Sequence, residues 1–342
     1  MRVVGEMARV PVLDGLVLDR EDAMSGTRTW LGVMASICFA AYFLYFLQQT
    51  FSLDGVAALA QGGSVLAVAG ASLIYVLVIP LSGWAWSRLL ADMGLDWPWG
   101  KTAAVIGVTQ IAKYVPGNVG QHFGRAALVL SRRMPADVFG GSILLETILT
   151  MGAAALIGGL GWLWTTRPGV GVESVPEQLL VLAVLVLGVT VPGSALLFRL
   201  LYSLGGKSRR MRKWISGNLR FPKVRVLLEV VLAYSLNFLV LGLVLQVVCA
   251  ALGSSARADY LFLAAAFAFA WMAGYLTPGL PAGLGAREGV LSVLLAGHLP
   301  DTELLNVLLG MRLATLVGDL LSFALGVWLA RMHLGSGEVH TL

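Results

Sequence analysis

Five stretches of this chain are long and apolar enough to cross a lipid bilayer, which restricts the folds open to it. They are Ser64 to Trp86, Val138 to Trp164, Leu179 to Leu197, Val226 to Leu252 and Leu304 to Leu329. Trp30 to Leu47 is a sixth, at the short end of the range that spans a core of about 30 Å. Inside lipid the backbone must satisfy its own polar groups, so single runs of this length span as helices. Composition agrees. Of 342 residues, 58% are hydrophobic and 13% charged, against about 25% charged in soluble domains. The mean hydropathy is +0.82. The fold expected is therefore an all-α polytopic membrane protein.

The net charge is +5. The basic residues sit in loops beside apolar runs, so they are expected to meet anionic lipid head groups and no nucleic acid. Residues 199–225 hold Arg199, Lys207, Arg209, Arg210, Arg212, Lys213, Arg220, Lys223 and Arg225, with no acid. The positive-inside rule places that loop in the cytoplasm. Both termini follow it there by the count of crossings, and a bacterial inner (cell) membrane is expected. Ala58-Leu59-Ala60 could pass for a signal-peptidase site. The long segment before Trp30, with Glu6, Asp14, Asp19, Glu21 and Asp22, is unlike a short basic leader, so Trp30 to Leu47 is read as a retained span. Cys38 and Cys249 lie within apolar runs and read as packing residues. No metal-binding spacing is present.

Two apolar segments are broken. Lys101 to Arg132 is interrupted at Tyr114-Val115-Pro116-Gly117-Asn118, and Asp259 to Leu299 at Thr277-Pro278-Gly279-Leu280-Pro281-Ala282-Gly283. Proline removes a helix donor and clashes with the preceding turn. The piece from Lys101 to Tyr114 would be about 21 Å long as a helix, too short to span. Each segment is read as a re-entrant hairpin. The sequence thus predicts six full spans plus two hairpins. Residues 1–29 form a cytoplasmic segment, 30–164 a first repeat with hairpin 101–132, 165–332 a second with hairpin 259–299, and 333–342 a tail. Each repeat reads as span, span, hairpin, span. Three spans is an odd number, so the second copy is inverted. Broken segments in matching positions of inverted repeats point to a binding site at mid-membrane. The plainer alternative is eight ordinary helices with proline kinks.

Ionisable residues at membrane depth are costly and mostly functional. Lys113 precedes the first break, Arg125 follows it, and Glu146 lies in the next span. Arg287 and Glu288 follow the second break, and Arg312 and Asp319 lie in the last span. Opposite signs permit pairing across the repeats, for example Glu146 with Arg287, or Glu288 with Arg312. Such pairs could equally be structural ties. Lys113, Arg125 and Arg287, beside the breaks, suit a phosphate, because the arginine fork binds two oxygens. The helices restarting after Gly117-Asn118 and after Gly283-Leu284-Gly285 would offer free N–H groups to an anion. The candidate binding set is Lys113, Tyr114, Pro116, Gly117, Asn118, Arg125, Glu146, Pro281, Gly283, Gly285, Arg287, Glu288 and Arg312. Gln121 and His122 are weaker candidates, and Asn237 and Gln246 read as polar glue between helices.

At the two breaks the sequence resembles the lysylphosphatidylglycerol synthase transmembrane (flippase-like) family. The resemblance rests on Lys113-Tyr114-Val115-Pro116-Gly117 with Gly124-Arg125, and on Pro278-x-x-Pro281-Ala282-Gly283-Leu284-Gly285-Ala286-Arg287-Glu288. It extends over roughly residues 30 to 332. It implies two inverted hairpins facing a lipid-sized cavity, and translocation of an aminoacylated phospholipid or a polyprenyl-linked sugar. It also implies that Glu146 and Arg312 stand where the family tends to carry an acid and an arginine. Two features depart from the pattern. Pro281-Ala282-Gly283 replaces the usual Pro-Gly-Gly, and the aminoacyl-transferring domain of full-length synthases is not expected in this chain. The function expected is translocation of a phospholipid or polyprenyl-linked head group, without a cofactor and without covalent catalysis, since no DxD, HxxxxD or His/Asp cluster occurs. Homo-oligomers are compatible with it. The alternatives are secondary transport of a small anion and a non-transporting accessory role in envelope lipid or glycan synthesis.

Overall fold

In the computed structural model the chain divides into two compact units, Met1–Ser52 and Leu53–Leu342. The structure describes residues 64–114, 120–132, 134–165, 186–187, 189–194, 196, 220–252, 259–277, 281–283 and 285–334. All of these fall in the second unit. The expected span at Trp30 to Leu47, most of the one at Leu179 to Leu197, most of the basic loop and the Pro116-Gly117-Asn118 turn lie outside the described residues.

Among the described residues all regular structure is helical. The elements are α1 (Ser64–Tyr75), α2 (Val78–Asp92), α3 (Trp99–Thr109) with a 3-10 turn at Gln110–Tyr114, α4 (Gly120–Leu130), α5 (Ala136–Thr165), α6 (Val224–Leu252), α7 (Tyr260–Leu276) with a 3-10 turn at Pro281–Gly283, α8 (Ala286–Leu295) and α9 (Asp301–His333). Four stretches are long and apolar enough to cross a membrane: Ser64–Asp92, Ala136–Trp164, Val224–Leu252 and Glu303–His333. Leu66, Leu73, Leu232 and Val293 are mostly exposed on the outside of the bundle, which costs nothing against lipid tails and much against water. The chain is an integral membrane protein.

The first of these stretches is bent where the sequence suggested one straight span. Pro80 cannot donate to Val76 and crowds its carbonyl. The ladder there tightens, with Val76 N–H donating to Leu73, Leu77 N–H to Ile74 and Ile79 N–H to Val76. The second broken segment stops for a related reason. Thr277 precedes Pro278, which disfavours helical backbone, and Thr277 sits at φ −81°, ψ 110°.

Helix α6 is central and packs against α1, α2, α5, α7 and α9. Close approach runs through small residues, as membrane helices require. A Cβ on Gly83 of α2 would lie 2.7 Å from the Ala103 backbone of α3, and one on Gly242 of α6 would lie 2.7 Å from the Ala264 backbone of α7. Each broken segment also packs on the last long helix of the other half. Helix α3 meets α9 where Gly107 faces Gly326, and α7 meets α5 where Ala265 faces Gly161. The 3-10 turns that end the two approaches, Gln110–Tyr114 and Pro281–Gly283, touch each other.

At one end of the bundle Arg88 of α2 and Arg225 of α6 both pair with Glu229, at 2.9 and 3.0 Å. The Lys223 backbone N–H donates to Asp92 at 2.5 Å. The described part of the basic loop therefore meets the end of α2. Cys249 is a buried free thiol in α6, as a packing residue should be.

Candidate functional site

The junction of the two 3-10 turns is surrounded by buried charge. Asp319 of α9 is 1% exposed and accepts from four side chains: Lys113 Nζ at 2.7 Å, Tyr75 Oη at 2.8 Å, Gln110 Nε2 at 3.1 Å and Tyr114 Oη. Gln110, Lys113 and Tyr114 all belong to the first 3-10 turn. Three-per-turn winding stacks side chains that an α-helix would splay, so Gln110 and Lys113 reach one acceptor together.

A second pair lies across the cavity. Arg125 Nη1 of α4 donates to both oxygens of Glu146 on α5 at 2.9 Å, and Tyr234 of α6 donates to Glu146 Oε1 at 2.8 Å. The pair expected between Glu146 and Arg287 does not form, because α4 packs directly on α5 and brings Arg125 nearer. The third pair is as expected in its members: Arg312 Nη1 of α9 donates to Glu288 Oε1 at 2.7 Å. It lies within the second half of the chain, not across the halves. The other Glu288 oxygen accepts the Gly285 N–H at 2.8 Å. That occupies the start of α8, where a free N–H for an anion was expected. Glycine is needed in this turn. Gly283 and Gly285 have φ of +70° and +78°, and a Cβ on Gly283 would come within 2.6 Å of the Gly274 Cα.

Between these pairs is a cavity of about 160 Å³. Its wall includes Lys113, Arg125, Glu146 and Arg287 from the candidate set, together with Ala282 from the second 3-10 turn. Tyr114 points away to Asp319, Glu288 and Arg312 stand behind Arg287 in a much smaller void, and Gly283 packs on α7. Pro281 contributes its backbone to the second 3-10 turn. Among the described residues Arg287 makes no hydrogen bond or ion pair. Its Nε is buried without an acceptor, and its guanidinium rests 5.5 Å from the centre of the Phe267 ring. Buried polar atoms of Arg125 (Nε), His122 (Nδ1) and Asn237 (Oδ1), all on the same wall, are also without partners. Desolvated groups in that state cost about 1–3 kcal/mol each, and their clustering marks a place where a polar ligand would be held.

Several lining residues were not singled out from sequence. Trp271 and Tyr275 of α7 stack at 5.2 Å and 22°, and Phe238 of α6 meets Trp271 edge-on at 5.2 Å. Tyr234, Phe238 and Leu241 form one stripe of α6 facing the cavity, with Asn237, which was read as polar glue and donates to Ser82 Oγ of α2 at 3.0 Å. Their spacing of three and four residues, like that of Trp271 and Tyr275, is the signal that would have found them. Next to the cavity, and sharing Thr147 with it, an apolar groove of about 710 Å³ runs past Met151, Ala155, Val189 and Met272. Among the described residues no ionisable side chain lines this groove.

No curated protein matches the chain. The model of the lysylphosphatidylglycerol synthase TM region matches residues 31–322, nearly the whole length. A polar cavity at the meeting point of two proline-broken segments, enclosed by membrane-length helices, thus belongs to a chain that is a member of the lysylphosphatidylglycerol synthase TM region family.

Proposed function

We propose that this protein carries the polar head group of a phospholipid or polyprenyl-linked lipid across the membrane core. The observation that carries the reading is the cavity itself. It holds one cation without a partner among the described residues, Arg287, where the two broken segments meet. A charge kept at that depth without a partner costs several kcal/mol, and a phosphate would supply the missing one. The apolar groove that shares Thr147 with the cavity is a path for lipid tails. It favours a lipid over a small anion, which would have no use for it.

In this reading the two broken segments are re-entrant hairpins of an inverted repeat, within six full spans. The exchanged packing supports that relation: α3 lies against α9 as α7 lies against α5, and α2 crosses α3 as α6 crosses α7. The basic residues beside Glu229 face the cytoplasm of an inner membrane and meet anionic lipid there. Transport proceeds without covalent chemistry. Glu146, the one carboxylate on the cavity wall among the described residues, is held by Arg125 and Tyr234 and is not free to act as a base.

Reconstitution in liposomes with head-group-labelled lipids tests the proposal. Native protein is expected to equilibrate label between leaflets, and folded Arg287→Gln protein to lose that activity. Failure of the native protein with phospholipids and polyprenyl phosphates alike would reject it.

A further inference from the structure

The cavity is specific about charge. Lys113 is neutralised by Asp319 and Arg125 by Glu146, at 2.7 and 2.9 Å. Behind the wall Arg312 is neutralised by Glu288 at 2.7 Å. Arg287 is left over, so the described wall carries one net positive charge. A phosphodiester, with a single negative charge, balances it. A diphosphate would leave at least one charge uncompensated in low dielectric.

Among the described residues the wall offers no free carboxylate to a cationic head group. Glu146 Oε1 already accepts from Arg125 and Tyr234, and Oε2 accepts from Arg125. An ammonium would find no free carboxylate and would share the space with Lys113, Arg125 and Arg287. The Tyr75 and Phe267 rings are already taken from within, by Lys113 at 5.6 Å and Arg287 at 5.5 Å. What remains is neutral and polar. Gln110, Gln121, His122 and Asn237 line the space beside the stacked rings of Trp271 and Tyr275. Amide oxygens such as Asn237 Oδ1, which has no partner among the described residues, set next to an aromatic face, match a group with hydroxyls on its edge and C–H bonds on its face. A volume of about 160 Å³, near that of cavities that take one small guest, suits a single polyol unit.

We infer that the transported lipid carries a single phosphodiester charge and one uncharged polyol, a glycerol or a single hexose, and that this site discriminates against aminoacylated, cationic head groups. The inference rests on the transport reading and narrows it. Arg287 holds the phosphate, and the polyol lies against Trp271 and Tyr275.

The test is binding to the purified full-length protein in mild detergent, read as a saturable rise in unfolding midpoint. Four probes are compared: phosphatidylglycerol, a polyprenyl-phosphate hexose, lysyl-phosphatidylglycerol and a polyprenyl-diphosphate hexose. One or both of the first two are expected to bind at least about tenfold more tightly than the last two, the scale of one unpaired charge. Preference for phosphatidylglycerol assigns a glycerol head, and preference for the phosphate hexose assigns a sugar. Arg287→Gln is expected to abolish the rise, and Trp271→Leu to weaken it for the favoured lipid, measured against the variant's own unliganded midpoint. Tightest binding of the lysyl lipid overturns the inference and leaves the transport reading standing, as does tightest binding of the diphosphate. No binding of any of the four overturns both.

Discussion

Replacing Asp319 with alanine should be among the most damaging single changes to this protein. The carboxylate is 1% exposed and holds Lys113 Nζ at 2.7 Å. At an effective dielectric of about 20, unit charges that close attract by about 6 kcal/mol, before the cost of desolvating both is subtracted. Removing the acid alone leaves that cost standing for Lys113, whose one remaining hydrogen bond among the described residues is to the Tyr75 hydroxyl at 3.0 Å. It also strips an acceptor from Tyr75, Gln110 and Tyr114. The expected loss for Asp319→Ala is about 3–5 kcal/mol, as for other broken buried pairs. Lys113→Met combined with Asp319→Leu removes both charges and leaves only neutral donors stranded. It should lose about 1–3 kcal/mol, less than the acid-only variant. The assay is reversible unfolding in a denaturing-detergent titration, followed by tryptophan fluorescence, on native protein, both single variants and the double variant. A loss below about 0.5 kcal/mol for Asp319→Ala, or a double variant as unstable as the two singles added together, would show that the pair does not hold the first 3-10 turn to α9.

Other outcomes follow from the same geometry. Glu146→Leu should cost about 3–5 kcal/mol in the same titration because it strands Arg125, and Arg125→Met added to it should recover most of that. Arg287→Gln should be at least as stable as native protein, since it breaks no pair and removes an unpaired buried charge, yet abolish translocation in liposomes. Gly107→Val should cost about 1–3 kcal/mol by overpacking, because a Cβ there already comes within 2.6 Å of the Gly326 Cα; an unchanged midpoint would mean that α3 and α9 are not in close contact. Ala155→Trp, which fills the apolar groove, should block movement of labelled lipid while head-group binding at the cavity persists; undiminished transport would remove the groove from the path.

The helical membrane architecture was legible because its signals are local. Runs of apolar residues and the Pro116 and Pro278 breaks are read directly from residue order. The pairing of charges was not legible in the same way. Glu146 is equally compatible on paper with Arg125 and Arg287, and only the packing of α4 on α5 decides between them. Asp319 showed as a charge in a span, but nothing in the sequence says that a 3-10 turn would swing Gln110 and Lys113 onto it. The bend at Val76-Leu77 could have been read from Pro80, since the clash lies four residues back. The aromatic wall was missed because Trp271 and Tyr275 sit in a helix so apolar that rings at helical spacing look like ordinary core.

Arg312 and Asp319 lie two turns apart on one face of α9, about 10 Å along its axis. One anchors the second break through Glu288, and the other anchors the first through Lys113. Helix α9 is thus a common strut for both breaks. A shift or roll of this one helix would displace both breaks together, and either break could move alone only by releasing its own ion pair.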